Sequence, residues 1–222
     1  MKTIAIVPSA GAGKRLRCKI KKPFVLLGGR PLISYTLKAL EGCDALDAII
    51  IASEKSCVKK FMRLVKKLQL KKVIDVVTGG KTRFESVRNC LCKVDPSFGL
   101  VLIHDGARPF VEKTLINKSI AFAKKFGGCI VAVPEIDTVK LIGKGQFITK
   151  TLDRQKIFRA QTPQVFRRDI INKAYAIKGK RNITDDASLA EILGSKIKVL
   201  KGSYRNIKIT TKEDLKFAEA LL

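Results

Sequence analysis

The sequence predicts an α/β fold, a mostly parallel sheet with helices on both faces and a protruding β-hairpin arm. Three observations carry that expectation. Short apolar, β-branched runs alternate with longer amphipathic segments over the first 133 residues. Strand-like runs are followed by glycines or an acid, the usual dress of loops at the carboxyl ends of parallel strands. The alternation then breaks between Thr138 and Phe166, where short extended pieces surround a Gly143-Lys144-Gly145 turn.

Each element has a local reason. Thr3–Val7 is short, apolar and closed by Pro8, a buried strand. Ser9–Lys22 is a basic loop containing glycines. Pro31–Leu40 has apolar residues near helical spacing, with Pro31 at a favoured first position. Ala48–Ala52 is the second strand, and Ser53 or Ser56 caps a helix running to about Leu68. Val73–Val77 is the third strand, Gly79-Gly80 a turn, and Thr82–Leu91 a helix. Leu100–His104 is the fourth strand and ends at Asp105, Lys113–Lys125 is a helix, and Cys129–Val133 is the fifth strand. Thr138–Ile142 and Phe147–Leu152 form the hairpin arm. Arg168–Ile177 and Asp185–Leu193 return to helix, Lys196–Leu200 and Ile207–Thr210 are late strands, and Lys212–Leu222 is a closing helix.

Composition narrows the function. The chain has 222 residues and 46% hydrophobic content, enough for a sizeable core, which excludes a disordered polycation. Lys plus Arg number 45 against 19 Asp plus Glu, a net charge of +26. That charge suits a nucleic-acid binder, a protein of phosphorylated substrates, or a solvated basic surface. It is spread along the chain, and aromatic content is 6% with no Trp, a poor stacking platform for single strands. No apolar run reaches the roughly 18 residues of a membrane span. Met1–Pro8 runs straight into the glycine loop without a signal peptide's apolar region, so a cytoplasmic protein is expected. The six cysteines are scattered without a Cys-x-x-Cys pair, and there is one histidine. Reduced, packed thiols are expected rather than a zinc site or a disulfide framework.

Two loops are rich in chemistry. Pro8-Ser9-Ala10-Gly11-Ala12-Gly13-Lys14-Arg15-Leu16 combines glycines, which let backbone N–H groups approach a phosphate, with two cations. It is not a Walker A loop, since Gly-Lys is followed by Arg15, nor a dinucleotide fingerprint, since Leu16 replaces the third glycine. It suits a nucleoside triphosphate, against the alternative of an ordinary tight turn. Lys19, Lys21 and Lys22 follow, as phosphate ligands or as a solvated loop. His104-Asp105-Gly106-Ala107-Arg108-Pro109 places an acid at a strand's carboxyl end. Asp105 there suits magnesium carrying a triphosphate, or else an Asp105–Arg108 turn held by its own ion pair. His104 reads as a packed strand residue.

These motifs, with Asp153-Arg154, Gln161-Thr162-Pro163-Gln164, Thr184-Asp185-Asp186-Ala187 and Asn206-Ile207-Lys208-Ile209-Thr210 in that order, resemble the 2-C-methyl-D-erythritol 4-phosphate cytidylyltransferases of the non-mevalonate isoprenoid pathway. The resemblance covers nearly the whole chain. It implies one Rossmann-like nucleotidyltransferase domain over residues 1–222, with residues 137–160 as a dimerisation arm. It implies transfer of a cytidylyl group from CTP to methylerythritol phosphate, with magnesium or another divalent cation and with pyrophosphate leaving. By that resemblance, Arg15, Lys22 and Lys208 supply catalytic cations. Ser9, Ala10, Gly11, Gly13, Gly80, Lys81 and Ser86 form the nucleotide site, largely through backbone contacts. Asp105 holds magnesium or substrate hydroxyls, and Arg108, Thr162, Thr184 and Lys208 surround the second substrate. Thr138 and Arg154 lie on the arm, which in the family clasps a second subunit and delivers them into the partner's site. The family has Pro-Lys-Gln where this chain has Lys21-Lys22-Pro23, so Lys22 is the aligned lysine and Lys21 the adjacent alternative. Lys81 stands where an acid is frequent.

The residues agree on chemical grounds. Two polyanions must meet, so cations should converge on one cleft, and direct attack of one phosphate on another needs no enzyme nucleophile. The rivals are a cytidylyltransferase of another polyol phosphate, such as ribitol 5-phosphate, and a catalytically inactive, basic nucleic-acid-binding protein. No specific nucleic-acid motif supports the latter.

Overall fold

The computed structural model of the chain describes residues 1–11, 13, 16, 20–177 and 183–222. The expected phosphate ligand Arg15 lies outside the described residues.

The chain orders its elements as β1 (Lys2–Ser9), β2 (Leu26–Leu27), β3 (Arg30–Pro31), α1 (Leu32–Glu41), β4 (Ala48–Ser53), α2 (Val58–Lys67) and β5 (Val73–Thr78). There follow α3 (Arg83–Leu91), β6 (Phe98–Ile103), α4 (Lys113–Phe126), β7 (Gly128–Pro134), β8 (Lys140–Ile142) and β9 (Ile148–Thr151). The last are β10 (Phe158–Arg167), α5 (Arg168–Tyr175), α6 (Asp186–Ile192), β11 (Lys198–Lys201) and α7 (Lys212–Ala220). Seven strands form one sheet in the order β11-β7-β10-β6-β1-β4-β5. Only β10 is antiparallel to its neighbours in it.

The central strands bury both faces, and their residues divide by parity. Ala5, Val7, Ile49, Ile51, Leu100 and Leu102 pack beneath α1, α2 and α4. Ile4, Ile6, Ile50, Val101 and Ile103 pack beneath α3, α5 and α6. Alternate side chains on opposite faces, all apolar, are what a doubly covered parallel sheet requires. The chain runs outward from β1 to β5 and then returns to β6 on the other side of β1. That reversal opens a crevice at the carboxyl end of β1, between the loops after β5 and β6.

Two expectations need correction. Phe158–Arg167 is not part of a departing arm; it is a strand between β6 and β7 in the middle of the sheet. The sequence reads as short extended pieces of an arm as far as Phe166, because Gln161-Thr162-Pro163-Gln164 is polar and holds a proline, unlike the apolar central strands. The pairing with β7 shifts register between Ala160 and Gln164, which is where a proline is tolerated inside a sheet. The hairpin proper is β8 with β9, a separate two-stranded sheet whose residues are all exposed. Ile207–Thr210 is not a strand either. Ile209 N–H donates to the Ala107 carbonyl at 2.9 Å, in the loop after β6, and its side chain is buried beside Leu32 and Ala218 of α1 and α7.

Of the described cysteines, Cys43, Cys57, Cys90 and Cys129 are buried free thiols and Cys92 is an exposed one. Burial pushes the Cys90 and Cys129 thiols up to about 12. Among the described residues, no helix is long and apolar enough to cross a membrane.

Candidate active site

The crevice is a cleft of about 450 Å³. Its walls come from the end of β1 (Ser9, Ala10, Gly11, Gly13), the loop and first turn of α3, and the Asp105–Ala107 loop, with Lys22 and Lys208 closing it. Every nucleotide-site residue expected from the sequence therefore meets in one place: Ser9, Ala10, Gly11, Gly13, Gly80, Lys81 and Ser86 all line it.

The first two loops touch. A Cβ on Gly79 would stand 2.5 Å from Ala10 Cβ and 2.8 Å from Ser86 Oγ, so only glycine lets them close. Ser86 Oγ accepts from Gly80 N–H at 3.1 Å and donates to the Thr82 carbonyl at 2.8 Å, which sets the turn. A capping box starts α3: Thr82 Oγ1 accepts from Glu85 N–H at 3.1 Å, and the Glu85 carboxylate accepts from Thr82 and Lys81 N–H.

The two adjacent lysines part company. Pro23 opens a short 3₁₀ turn over Lys22–Phe24, with Pro23 and Phe24 buried. Lys22 lines the cleft, lying against Gly13, whose φ of +62° admits no ordinary side chain and whose Cβ would stand 2.8 Å from that of Lys22. Lys21 turns to Glu54, at 2.8 Å.

Opposite them, Asp105 is the only carboxylate among the described cleft residues, against Lys22, Lys81, Arg83 and Lys208. Its Oδ1 receives Arg83 Nε at 3.1 Å; its Oδ2 receives Lys208 Nζ at 2.8 Å, with Arg108 Nε at 3.6 Å. Burial works against the Asp105 charge, but Arg83, Lys208 and Arg108 outweigh it and hold the carboxyl well below the usual carboxylate range. Arg108 N–H also donates to the Asp105 carbonyl at 3.0 Å, so the self-paired turn and the strand-end acid are one feature. Arg108 Nη1 donates to the Asn206 carbonyl at 2.7 Å, tying the segment that carries Lys208 to this loop.

Thr162 reaches the same loop from β10. Its Oγ1 accepts from Asp105 N–H at 3.0 Å and lies 3.2 Å from His104 Nδ1. His104 Nε2 faces the Arg108 carbonyl at 3.2 Å, an acceptor only, so Nε2 carries the proton and the Thr162 hydroxyl donates to Nδ1. Burial lowers the imidazole to about 4, keeping it neutral. His104 is thus a packed, satisfied group, as its position predicts.

Arg108 and Thr162 touch the Asp105 loop without lining the cleft, and three further expected substrate residues lie away from that loop. Thr184 is exposed, just ahead of the α6 cap Asp185. Thr138 and Arg154 are exposed at the root of the hairpin, where Arg154 Nη1 donates to the Ile136 carbonyl at 2.9 Å. None of the three lines the cleft of its own chain.

Sequence reasoning missed Arg83. It stands at the first position of α3, right after the glycine turn and opposite the Asp105 loop, and lines the cleft. The signal was available: a Thr82-x-x-Glu85 capping box after Gly79-Gly80 aims the first helical residue at the strand ends.

The whole chain has relatives of known description. The family model for 2-C-methyl-D-erythritol 4-phosphate cytidylyltransferase matches residues 3–222. A Clostridium tetani protein of that description is 43% identical over 220 residues, 98% of this chain and 89% of the relative. One from Syntrophus aciditrophicus is 43% identical over 225 residues, 100% of this chain and 96% of the relative. The crystal structure of 4-diphosphocytidyl-2C-methyl-D-erythritol synthase from Anaerococcus prevotii superposes with a TM-score of 0.89 at 34% identity, covering 99% of this chain and 95% of that one. The Thermus thermophilus cytidylyltransferase gives 0.79 at 28% identity, covering 100% and 98%. With a family model matched over residues 3–222 and relatives 43% identical over nearly the whole chain, the chain belongs to the 2-C-methyl-D-erythritol 4-phosphate cytidylyltransferase family.

Proposed function

We propose that this cleft carries out the family's reaction: a phosphate oxygen of 2-C-methyl-D-erythritol 4-phosphate attacks the α-phosphorus of CTP. A new P–O bond forms, the bond to the β-phosphate breaks, and pyrophosphate leaves with the electron pair. The observation that carries the reading is that one cleft is lined by Ser9, Ala10, Gly11, Gly13 and Lys22 together with the ion-paired Asp105 and Lys208.

The nucleotide lies on the first two loops. Ser9, Ala10, Gly11 and Gly13 admit the triphosphate to backbone N–H groups, while Gly80, Lys81 and Ser86 flank base and ribose. Lys22, with Arg15, stabilises the charge that grows on the α-phosphate oxygens. The gain is electrostatic, since preorganised cations need no reorganisation as the charge develops. Lys208 and Arg108 orient the methylerythritol phosphate, with Thr162 holding the loop beneath it.

Family resemblance adds a divalent cation. Among the described residues no group of three His, Cys, Asp or Glu side chains gathers to hold one. Asp105 alone suits a magnesium ion that keeps its other ligands on phosphate and water, and would exchange one cation contact for it. Bound there, magnesium would neutralise phosphate charge.

The arm completes the reading. Leu141, Ile142, Phe147 and Ile148 are all more than half exposed, and an isolated hairpin is marginal in water. A two-fold homodimer through the β8–β9 hairpin and its root covers them and brings Thr138 and Arg154 to the partner's cleft.

Pyrophosphate release from CTP, magnesium and methylerythritol phosphate tests the assignment, with ATP, GTP, UTP and ribitol 5-phosphate as controls. Comparable turnover of ribitol 5-phosphate would overturn the choice of polyol; absence of CTP turnover would overturn the reading.

A further inference from the structure

Arg83 forms a fork between two acids. Its Nε donates to Asp105 Oδ1 at 3.1 Å, and its Nη1 and Nη2 donate to the two oxygens of Asp186 at 2.9 and 2.6 Å. Asp186 is fully buried at the start of α6 and also accepts from the Tyr175 hydroxyl of α5. Gln164 of β10 braces the same helix end, its Oε1 accepting from Asp186 and Ala187 N–H, both at 3.1 Å. The guanidinium is therefore fixed on one side by α5, α6 and β10, and offers its remaining edge to the cleft carboxylate.

Such a buried pair is weak evidence for a stabilising role, because desolvating the charges offsets most of their attraction. Its geometry says more. The Asp105 backbone is already held by Thr162 Oγ1, so what Arg83 adds is the orientation of the carboxylate. Oδ2 has Lys208 and Arg108, whereas Oδ1 has Arg83. Without Arg83 the carboxylate is free to rotate about its Cβ–Cγ bond toward the other two cations, drawing Lys208 with it. Two carboxylates also neutralise most of the charge that Arg83 could offer a phosphate.

We propose that Arg83 is a positioning residue: held by Asp186 and Tyr175, it fixes the Asp105 carboxylate, and through it Lys208, in the geometry that the transfer uses. The proposal rests on the assignment of Asp105 and Lys208 to the reaction. Lysine cannot replace Arg83, since a point charge cannot span two carboxylates as a planar fork does.

The test is a double-mutant cycle on steady-state kinetics. Asp186→Asn accompanies Arg83→Gln, so that no buried carboxylate is orphaned, and thermal unfolding confirms that the pair folds. The paired change is expected to lower kcat roughly 10–100-fold, the scale of a misplaced catalytic group, with little change in the KM for CTP. In an Asp105→Ala background, where nothing remains to be positioned, the same change should cost less than about threefold. Arg83→Lys, which keeps the charge, should lose kcat to a similar extent and covers the case in which the paired variant fails to fold. Equal losses with and without Asp105 would overturn the proposal, because Arg83 would then act by itself. So would a raised KM at constant kcat, the mark of a phosphate ligand, or full kcat in Arg83→Lys. An Asp105→Ala enzyme with normal kinetics would overturn both the proposal and the assignment beneath it; a damaged one with additive losses overturns the proposal alone.

Discussion

Strand β10 and the β8–β9 arm are sequence neighbours with opposite chemistry. β10 lies in the middle of the sheet and buries Gln161, Thr162 and Gln164, polar side chains of a kind usually found outside. The arm leaves the body and exposes Leu141, Ile142, Ile148 and Phe147, the last 76% accessible. Each inversion has its own resolution. The polar groups of β10 find partners within the chain: Gln161 Nε2 donates to the Ser203 carbonyl at 2.9 Å, Thr162 holds Asp105, and Gln164 Nε2 donates to Asp185 at 2.8 Å. The apolar groups of the arm find no such cover within the described chain. The body gathers a cleft from its own residues, and in the proposed homodimer the arm would lend Thr138 and Arg154 to another.

The largest expected effect lies in the body. Lys22→Ala should depress kcat by roughly 10²–10³-fold, as loss of one oxyanion donor does, and raise the KM for CTP far less. A pure KM effect would mean that Lys22 binds only the ground state. The arm is next. Arg154→Ala and Lys208→Ala should each be nearly inactive alone. In a mixed dimer one cleft regains an intact Lys208 of its own and an intact Arg154 from its neighbour. Equal mixing with free exchange makes about half the dimers mixed, so about a quarter of all sites should recover under two-fold pairing. A mixture that stays dead would place Arg154 in its own chain's cleft, and the contrast between body and arm would collapse.

The same contrast explains what was legible in the sequence. Strands β1, β4 and β6 are unbroken apolar runs because both faces are covered, and the glycine loop and Asp105 stand where parallel strands end. Strand β10 was legible as extended chain but not as a central strand, since polarity and Pro163 make it look like a continuation of the arm. Its polarity serves the site: Thr162 and Gln164 organise two loops from beneath, a task that only tertiary contacts reveal. Arg83 was hidden for a related reason. Its partner Asp186 is 103 residues away in the chain. Ile207–Thr210 has the β-branched look of a strand but spends its Ile209 N–H on a loop, where it places Lys208 over Asp105.

Two stability measurements sharpen the account of the buried polar residues. The His104 imidazole is held neutral to about pH 4, below its ordinary 6.5. Between these values the unfolded chain binds a proton that the folded chain refuses, so stability rises with pH across that window. About 3 kcal/mol, fully present above pH 6.5, is lost as pH falls to 4. Denaturant unfolding at pH 7, 5.5 and 4.5 should show this slope in the native protein and a flatter one in His104→Asn. Identical slopes would mean that His104 is not kept neutral. Gln164→Leu removes the acceptor for two buried N–H groups at the start of α6, at a cost of about 3 kcal/mol and roughly 6–12 °C in Tm. An unchanged Tm would show that β10 does not need its polar side chains.

The smallest effect decides the register of the cationic loop. Lys21 and Lys22 are adjacent and chemically identical, and only the chain's turn at Pro23 separates their destinations. Lys21 pairs with Glu54 at 2.8 Å, with both side chains more than a third exposed. The carboxylate raises the Lys21 ammonium pKa by hydrogen bond and charge, and in return Lys21 holds Glu54 low. An exposed pair of this kind is screened by water and salt and contributes little. Lys21→Ala should therefore leave kcat within about twofold of the native enzyme, and Glu54→Gln should match it. Steady-state kinetics of Lys21→Ala beside Lys22→Ala at equal ionic strength makes the comparison. If Lys21→Ala is the damaging change and Lys22→Ala the mild one, the loop rearranges on CTP, Glu54 releases Lys21, and the cleft's cation is the residue that now points away from it.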